Sequence, residues 1–152
     1  MLMILAFIGV VLIDRLVKIW AMGARPENIR FLPGVLQLFY VENTGMAFGL
    51  FAGQPIWFAV IAIPALLAAF FVLRRFRLNA FCRVALGLLA GGAVGNLIDR
   101  LFLGYVVDMF DFLFVNFAVF NVADIGLTVG TIMLMFAILF MPKAWEVKAS
   151  CR

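Results

Sequence analysis

The stretch "VADIGLTVGTIMLMFAILFM", residues 122–141, decides the class of fold to which this chain belongs. Asp124 is its only charged residue. A helix of about 20 apolar residues, which rises about 1.5 Å per residue, spans the hydrocarbon core of a bilayer. The stretch therefore predicts a membrane-spanning helix. It also raises a question, because a carboxylate at the start of such a helix is costly and needs a reason.

The composition of the whole chain agrees with a membrane protein. Of the 152 residues, 67% are hydrophobic and 13% are charged, and the mean hydropathy is +1.18. Three more apolar segments, at residues 1–22, 55–73 and 81–98, are long enough to cross a bilayer. We predict one domain, residues 1–152, with four spans. The net charge of +4 does not indicate a nucleic-acid partner, because the basic residues lie beside apolar runs, where they set topology.

Several kinds of chemistry are excluded by the residues that the chain lacks. It has no histidine, and its only serine is Ser150. This removes Ser/His and Cys/His catalysis and every zinc site built on histidine. Two cysteines, Cys82 and Cys151, are too few for a metal cluster, and we expect them to be reduced and structural on the cytosolic side. The sequence predicts neither a metal nor a cofactor.

The basic residues predict the topology. Four arginines lie in "RRFRLNAFCR", residues 74–83, and three more basic residues follow the last apolar segment. The positive-inside rule then places both termini and this connection in the cytosol, and the other two connections outside. These outer connections contain "VLQLFYVENTGMAFGLF", residues 35–51, and "VVDMFDFLFVNFAVFN", residues 106–121, whose aromatic and β-branched content predicts strands and turns at the membrane surface.

With this topology, the polar residues of the apolar segments and outer connections converge near the outer interface. They are Asp14, Lys18, Asn43, Asn96, Asp99, Asp108 and Asp124. Carboxylates gathered within a membrane indicate a functional site by default.

Two pairs among these residues also have structural interpretations. Asp14 and Lys18 have the i,i+4 spacing of a neutralising ion pair, which is at least as good an explanation as a substrate contact. Asn121 and Asp124 have the spacing of a capping box at the start of a helix. A cap does not, however, explain Asp108, which lies in a separate part of the outer connection.

Other features have a plain explanation. Gly87, Gly91 and Gly95 form a stripe that favours close helix packing and is not a dinucleotide-binding motif. Asp111 is interpreted as a solvated loop charge.

Three hypotheses follow for the function. With histidine, serine and thiol chemistry excluded, two aspartates that share a proton can activate water. A proton-coupled transporter would also use membrane carboxylates, but these charges lie at one interface and no inverted repeat is visible. An assembly protein held by the glycine stripe would leave Asp108 without a role.

Five motifs in order now identify a family resemblance. They are "DRLVK" at 14–18, "ENTGMAFG" at 42–49, "GGAVGNLIDR" at 91–100, "YVVDMFDF" at 105–112 and "FNVAD" at 120–124. The chain resembles the lipoprotein signal peptidases, or signal peptidase II. These are bacterial inner-membrane aspartyl proteases that remove signal peptides from prolipoproteins.

The resemblance implies a fold and a set of site residues. The fold is an all-α membrane protein of four transmembrane helices with a small periplasmic β-cradle and a short surface helix. The motif positions assign catalysis to Asp108 and Asp124. The supporting or substrate-binding positions are Asp14, Lys18, Asn43, Gly45, Asn96, Asp99, Arg100, Asn121 and Ala123.

The resemblance also implies the substrate and the location. The substrate is a prolipoprotein that carries diacylglycerol on its lipobox cysteine, and the cut falls on the amino side of that cysteine. The enzyme is expected to be a monomer in the inner (cytoplasmic) membrane, in contact with phospholipid, with its active site at the outer face. A lipidated cysteine sits at the interface, where water still reaches the scissile bond, which accounts for an aspartate at the mouth of a span.

Overall fold

The computed structural model describes residues 1–45, 74–141 and 144–147, together with residues 63, 64, 67 and 71. These described residues form three helices: α1 (Leu2–Ala24), α2 (Ala80–Phe102) and α3 (Val122–Phe140). They also form the strands β1 (Ile29–Leu32), β2 (Leu36–Asn43), β3 (Phe76–Leu78), β4 (Val106–Phe112) and β5 (Trp145–Val147).

Helices α1 and α2 lie side by side and run in the same direction. A Cβ atom added to Gly87 would lie 2.4 Å from the carbonyl oxygen of Met3, and one added to Gly95 would lie 2.9 Å from Oδ2 of Asp14. The contact positions advance together along both helices, so the helices are parallel. Because these approaches leave no room for a side chain, the predicted role of the glycine stripe in close packing is confirmed.

Helix α3 packs against α2, also contacts α1, and runs in the opposite direction to α2. Gly126 of α3 faces the backbone of Leu88, and Gly130, one turn later, faces the backbone of Ala85. The later position on α3 thus meets the earlier position on α2. The start of α3 therefore lies beside the end of α2.

A small open antiparallel sheet of order β1-β2-β4 covers this end of the helices, which we call the sheet end. Val107 and Met109 of β4 are fully buried against Ala21, near the end of α1. Strands β2 and β4 fall within residues 35–51 and 106–121, the two stretches for which strands were predicted, so the strands themselves are confirmed. The pair β3–β5 was not predicted, since Phe76–Leu78 lies in a stretch interpreted only as a basic connection.

The helices can be compared with the predicted spans. Among the described residues, α2 and α3 are long and apolar enough to cross a membrane. Helix α1 is as long as α2 but contains Asp14, Arg15 and Lys18. The predicted span at 55–73 lies outside the described residues except for 63, 64, 67 and 71, which are helical. The short surface helix is not among the helices of the described residues.

The packing of α2 on α3 leads to a stability prediction. A Cβ at Gly130 would lie 2.7 Å from the carbonyl oxygen of Ala85 and 2.8 Å from the backbone nitrogen of Leu89. Because backbone atoms cannot move aside, Gly130→Ala should lower the free energy of unfolding by about 1–3 kcal/mol. Gly9→Ala is the matched control, since a Cβ there would meet nothing within 4 Å. Thermal unfolding in detergent measures both variants, and equal melting temperatures would contradict the close packing.

Candidate active site

Two carboxyl groups from different elements, Asp108 and Asp124, line one cavity of about 540 Å³. Asn43, Asn96 and Arg100 also line it. The rest of the wall is largely apolar and comes from the two ends of β4, from the segment that follows it and from the first turns of α3: Val106, Phe112, Phe117, Ala118, Val119, Phe120, Ile125, Leu127 and Val129. The cavity thus combines an acidic, amide-rich part with a broad hydrophobic wall.

The chain after β4 folds back on that strand and so brings the start of α3 to Asp108. Phe120 pairs with Phe110 through two backbone hydrogen bonds, with N···O distances of 2.8 and 3.0 Å. This pairing closes a loop over residues 113–119, which follow β4. Asn121, which comes directly after this pairing, is placed beside Asp108 of β4.

Asn121 connects the two carboxyl groups. Its Nδ2 donates to Oδ1 of Asp108 at 2.6 Å. Its Oδ1 accepts from the backbone N–H of Asp124 at 2.9 Å, and its own N–H donates to Oδ2 of Asp124 at 3.1 Å. The predicted capping box is therefore confirmed. The same asparagine that begins the helix also holds the second carboxyl group.

Two further asparagines complete the contacts of the carboxyl groups. Nδ2 of Asn43 donates to Oδ2 of Asp108 at 2.8 Å, and Nδ2 of Asn96 donates to Oδ1 of Asp124 at 2.7 Å. Each of the four carboxyl oxygens thus accepts one N–H. Since an oxygen of a carboxyl group has a second lone pair, a proton or a water can still be held on the side of the cavity.

The environment of Asp108 favours its protonated form. The pKa of Asp108 is raised from 3.8 to about 7: burial and the nearby charge of Asp124 raise it, and the amides of Asn43 and Asn121 and the charge on Lys18 lower it by less. A carboxyl group with a pKa near 7 can both hold and release a proton at neutral pH.

A buried ionic network lies behind the cavity. The ammonium of Lys18 is 3.0 Å from Oδ2 of Asp14 and 2.8 Å from Oδ2 of Asp99. Arg15 forms a short ion pair with Asp99 and lies 3.4 Å from Oδ2 of Asp14. The i,i+4 ion pair of Asp14 and Lys18 is thus confirmed. Neither residue lines the cavity.

Arg15 is a member of this network that was not predicted from the sequence. Only the i,i+4 pair in "DRLVK" was considered, although Arg15 lies between its members. A count of the buried charges would have indicated it, because Asp14 and Asp99 are two buried carboxylates and Lys18 is only one cation. A second cation is needed for neutrality in an apolar bundle.

The other proposed positions lie as follows. Among them, Asn43, Gly45, Asn96, Arg100, Asp108 and Asp124 line the cavity. Asp14, Lys18, Asp99, Asn121 and Ala123 do not, and the N–H of Ala123 donates to Oδ1 of Asp14 at 2.9 Å.

The interpretation of Asp111 as a solvated loop charge was wrong. Asp111 belongs to β4 and accepts a hydrogen bond of 2.7 Å from Nε2 of Gln37. The described part of the chain contains no group of three or more potential metal ligands among histidine, cysteine, aspartate and glutamate.

Comparison with known families decides the assignment of the chain. The family model described as Signal peptidase (SPase) II matches residues 6–140. The chain belongs to the signal peptidase II family. Enzymes of this family are aspartic peptidases of bacterial membranes that remove signal peptides from prolipoproteins. This excludes the transporter and the assembly protein as leading hypotheses.

Individual relatives of known name or structure agree with the family. The lipoprotein signal peptidases of Streptococcus pyogenes serotype M1 and of serotype M5 (strain Manfredo) are each 40% identical over 140 residues, which cover 90% of this chain and 92% of the relative. A bacterial membrane enzyme solved at 2.3 Å superposes with a TM-score of 0.82, at 32% identity, over 96% of this chain and 94% of its own. A second one, solved at 1.9 Å, gives 0.81 at 33% identity, over 91% and 93%.

The contacts of Asp108 lead to a titration prediction. Infrared difference spectra against Asp108→Asn should show a protonated carboxyl band that disappears as the pH rises through about 7, the pKa of Asp108. In Asn43→Ala the ionised form loses a donor, so the pKa should rise and the band should persist to a pH about one unit higher. Gln37→Ala is the matched control, because it removes a similar amide contact from β2 to Asp111. An unchanged band in Asn43→Ala would contradict the geometry.

Proposed function

We propose that this chain cleaves prolipoproteins whose lipobox cysteine carries diacylglycerol, on the amino side of that cysteine, by activating water between Asp108 and Asp124. The observation that supports this most strongly is the double role of Asn121, which is hydrogen-bonded to both carboxyl groups at the wall of one cavity. A single short side chain that joins both groups keeps them near enough to share a proton and a water.

The two carboxyl groups have different roles in the proposed mechanism. Asp124 lies in the first turn of α3, where the helix dipole and the N–H of Asn121 favour a negative charge, and it acts as the general base. Asp108, whose pKa is raised to about 7 by burial, is protonated and acts as the general acid. This assignment agrees with the general rule that, of two neighbouring carboxyl groups in different environments, one acts as the acid and the other as the base.

The steps follow from these protonation states. Asp124 takes a proton from water as the oxygen attacks the scissile carbonyl carbon, and Asp108 donates its proton to the carbonyl oxygen. When the tetrahedral intermediate collapses, Asp108 recovers the proton of the hydroxyl group and Asp124 transfers its proton to the leaving amine. The dyad is thereby restored, and one water has been added across the peptide bond. No metal or cofactor enters any step.

The cavity suits a lipidated peptide. Its polar part, with Asn43, Asn96 and Arg100, provides groups that can bind the peptide backbone, and its aromatic and aliphatic wall can contact the apolar part of the substrate. The wall residues of α3, such as Ile125 and Val129, are exposed and continue toward the apolar length of that helix. An acyl chain can therefore extend from the dyad along a surface that faces lipid.

We also infer a membrane arrangement of four spans in the cytoplasmic membrane, with the sheet end outside and both termini in the cytosol. Helices α1 and α2 are parallel, so both begin at the end of the bundle opposite the sheet. Strand β2 lies at the sheet end, whereas β3 directly precedes the start of α2, at the opposite end. Asn43 and Phe76 therefore lie at opposite ends of the bundle, which supports the predicted span at 55–73. Contact with phospholipid and action as a monomer belong to the same proposal.

The dyad gives the most direct test. Asp108→Asn and Asp124→Asn should each reduce the cleavage of a diacylglyceryl-modified precursor by about 10⁴-fold or more, because each removes the acid or the base. The double variant should be scarcely slower than either single variant, since groups that act as one unit are strongly non-additive. The measurement is signal-peptide release per mole of folded enzyme in detergent.

Asp111→Asn is the control for this test, because Asp111 lies on the same strand but does not line the cavity. It should retain most of the activity. Substantial turnover by Asp108→Asn would refute the two-carboxylate mechanism. Turnover by Asp124→Asn would leave Asp124 with its capping role alone.

The arrangement in the membrane is tested by cysteine labelling in a background without Cys82 and Cys151. Glu27, between α1 and β1, is exposed at the sheet end, and Arg75 lies just before β3. A cysteine at Glu27 should react with an impermeant maleimide in intact cells. One at Arg75 should react only after permeabilisation. The reverse pattern would contradict an external active site.

A further inference from the structure

The ammonium group of Lys18 is held by three acceptors, one for each of its N–H bonds. They are Oδ2 of Asp14 at 3.0 Å, Oδ2 of Asp99 at 2.8 Å and Oδ1 of Asn96 at 3.0 Å. Lys18 is fully buried and does not line the cavity. The contacts with Asp14 and Asp99 neutralise its charge. The contact with Asn96 does not, because an amide is neutral, but Asn96 is also hydrogen-bonded to Asp124 of the dyad.

The contact with Lys18 fixes the orientation of the amide of Asn96. An ammonium group can only donate, so the amide oxygen must face it, and Nδ2 of Asn96 is left to donate to Oδ1 of Asp124 at 2.7 Å. The opposite orientation would set two donors against each other at Lys18 and an oxygen against the carboxylate of Asp124. Nδ2 of Asn121 also donates to Oδ1 of Asn96, at 3.1 Å.

We propose that Lys18 is a positioning residue for catalysis, which orients Asn96 so that its amide stabilises the ionised form of Asp124 and assigns the base role to that residue. This inference rests on the proposed function, because it explains how one carboxyl of the dyad is kept ready to accept a proton. Lys18 acts through Asn96 and does not contact the substrate.

The charged groups around the dyad support this assignment. Helix α1 contributes Asp14, Arg15 and Lys18, helix α2 contributes Asp99 and Arg100, and β4 contributes Asp108. In the network behind Asn96, two carboxylates face two cations. Without Lys18, that network has an excess negative charge, which opposes ionisation of the dyad. The charge on Lys18 and the orientation of Asn96 thus favour the same protonation state.

The test uses a charge-balanced pair of substitutions, because Lys18→Met alone leaves a buried carboxylate without its partner and threatens folding. Asp14→Asn with Lys18→Met is compared with Asp14→Asn alone. The pH dependence of kcat/KM is measured for a lipidated precursor, per mole of folded enzyme. In the double variant, the acidic limb of the kcat/KM profile should lie about one pH unit higher than in Asp14→Asn. The reason is that ionised Asp124 is less stable without the oriented amide and the positive charge. KM should change little, since neither residue lines the cavity.

Asp99→Asn with Lys18→Met, compared with Asp99→Asn alone, is a second balanced pair if the first does not fold. It should show the same shift. Asn96→Ala tests the route, because it leaves the ion pairs of Lys18 with Asp14 and Asp99 in place. It should move the acidic limb in the same direction. Adding Asn96→Ala to a balanced pair should add little further shift, since both changes interrupt the same path from Lys18 through Asn96 to Asp124.

An acidic limb that stays in place when Lys18 is removed would overturn the proposal and leave Lys18 only as a neutralising charge. Fully additive shifts with Asn96→Ala would also overturn it, because Lys18 would then act by another route. These outcomes differ from failure of the proposed function, which would appear as turnover by Asp108→Asn or Asp124→Asn.

Discussion

The burial of a lysine inside an apolar bundle is the constraint on which the rest of the structure depends. An ammonium group cannot remain in such surroundings unless acceptors satisfy all its protons and carboxylates balance its charge. Lys18 obtains these from α1 itself and from Asp99 and Asn96 of α2. The same carboxylates bind other elements, since Oδ1 of Asp14 accepts the N–H of Ala123 and Oδ2 of Asp99 accepts that of Val107. Satisfying one buried cation thus positions α1, α2, α3 and β4 together.

This network also explains why an aspartate lies at the start of an apolar helix. Asp124 closes a capping box with Asn121, so the N–H groups of both residues have acceptors at the start of the helix. Its other oxygen is held by Asn96, which is itself held by Lys18. The carboxyl group therefore has a structural reason to be there, and the proposed catalysis uses a group that the fold already fixes.

Much of this arrangement was predictable, because it depends on strong and local signals. Hydropathy predicted segments in which α1, α2 and α3 lie, and residue type predicted β2 and β4. The capping spacing at residues 121–124 predicted the helix start. The five ordered motifs identified the family and nearly all of the polar residues around the cavity.

The features that could not be predicted depend on contacts between different elements of the fold. Which of 18 phenylalanines line the cavity is decided by the loop closed between Phe110 and Phe120, and no spacing in the sequence encodes it. Arg15 is adjacent in sequence to Asp14, yet its partner Asp99 comes from another helix. The pairing of β3 with β5 joins residues about 70 positions apart, and neither strand is long enough to give a periodic signal.

The polar network depends on the close helix packing that the glycine stripe allows. Asparagine and aspartate have short side chains, so an amide on α2 can reach Lys18 on α1 and Asp124 on α3 only if the helix backbones are very close. A Cβ at Gly95 would lie 2.9 Å from Oδ2 of Asp14 and 3.1 Å from Cβ of Ala123. The residue after it, Asn96, makes both contacts. Glycine at position 95 thus allows the approach across which asparagine at position 96 connects the two helices.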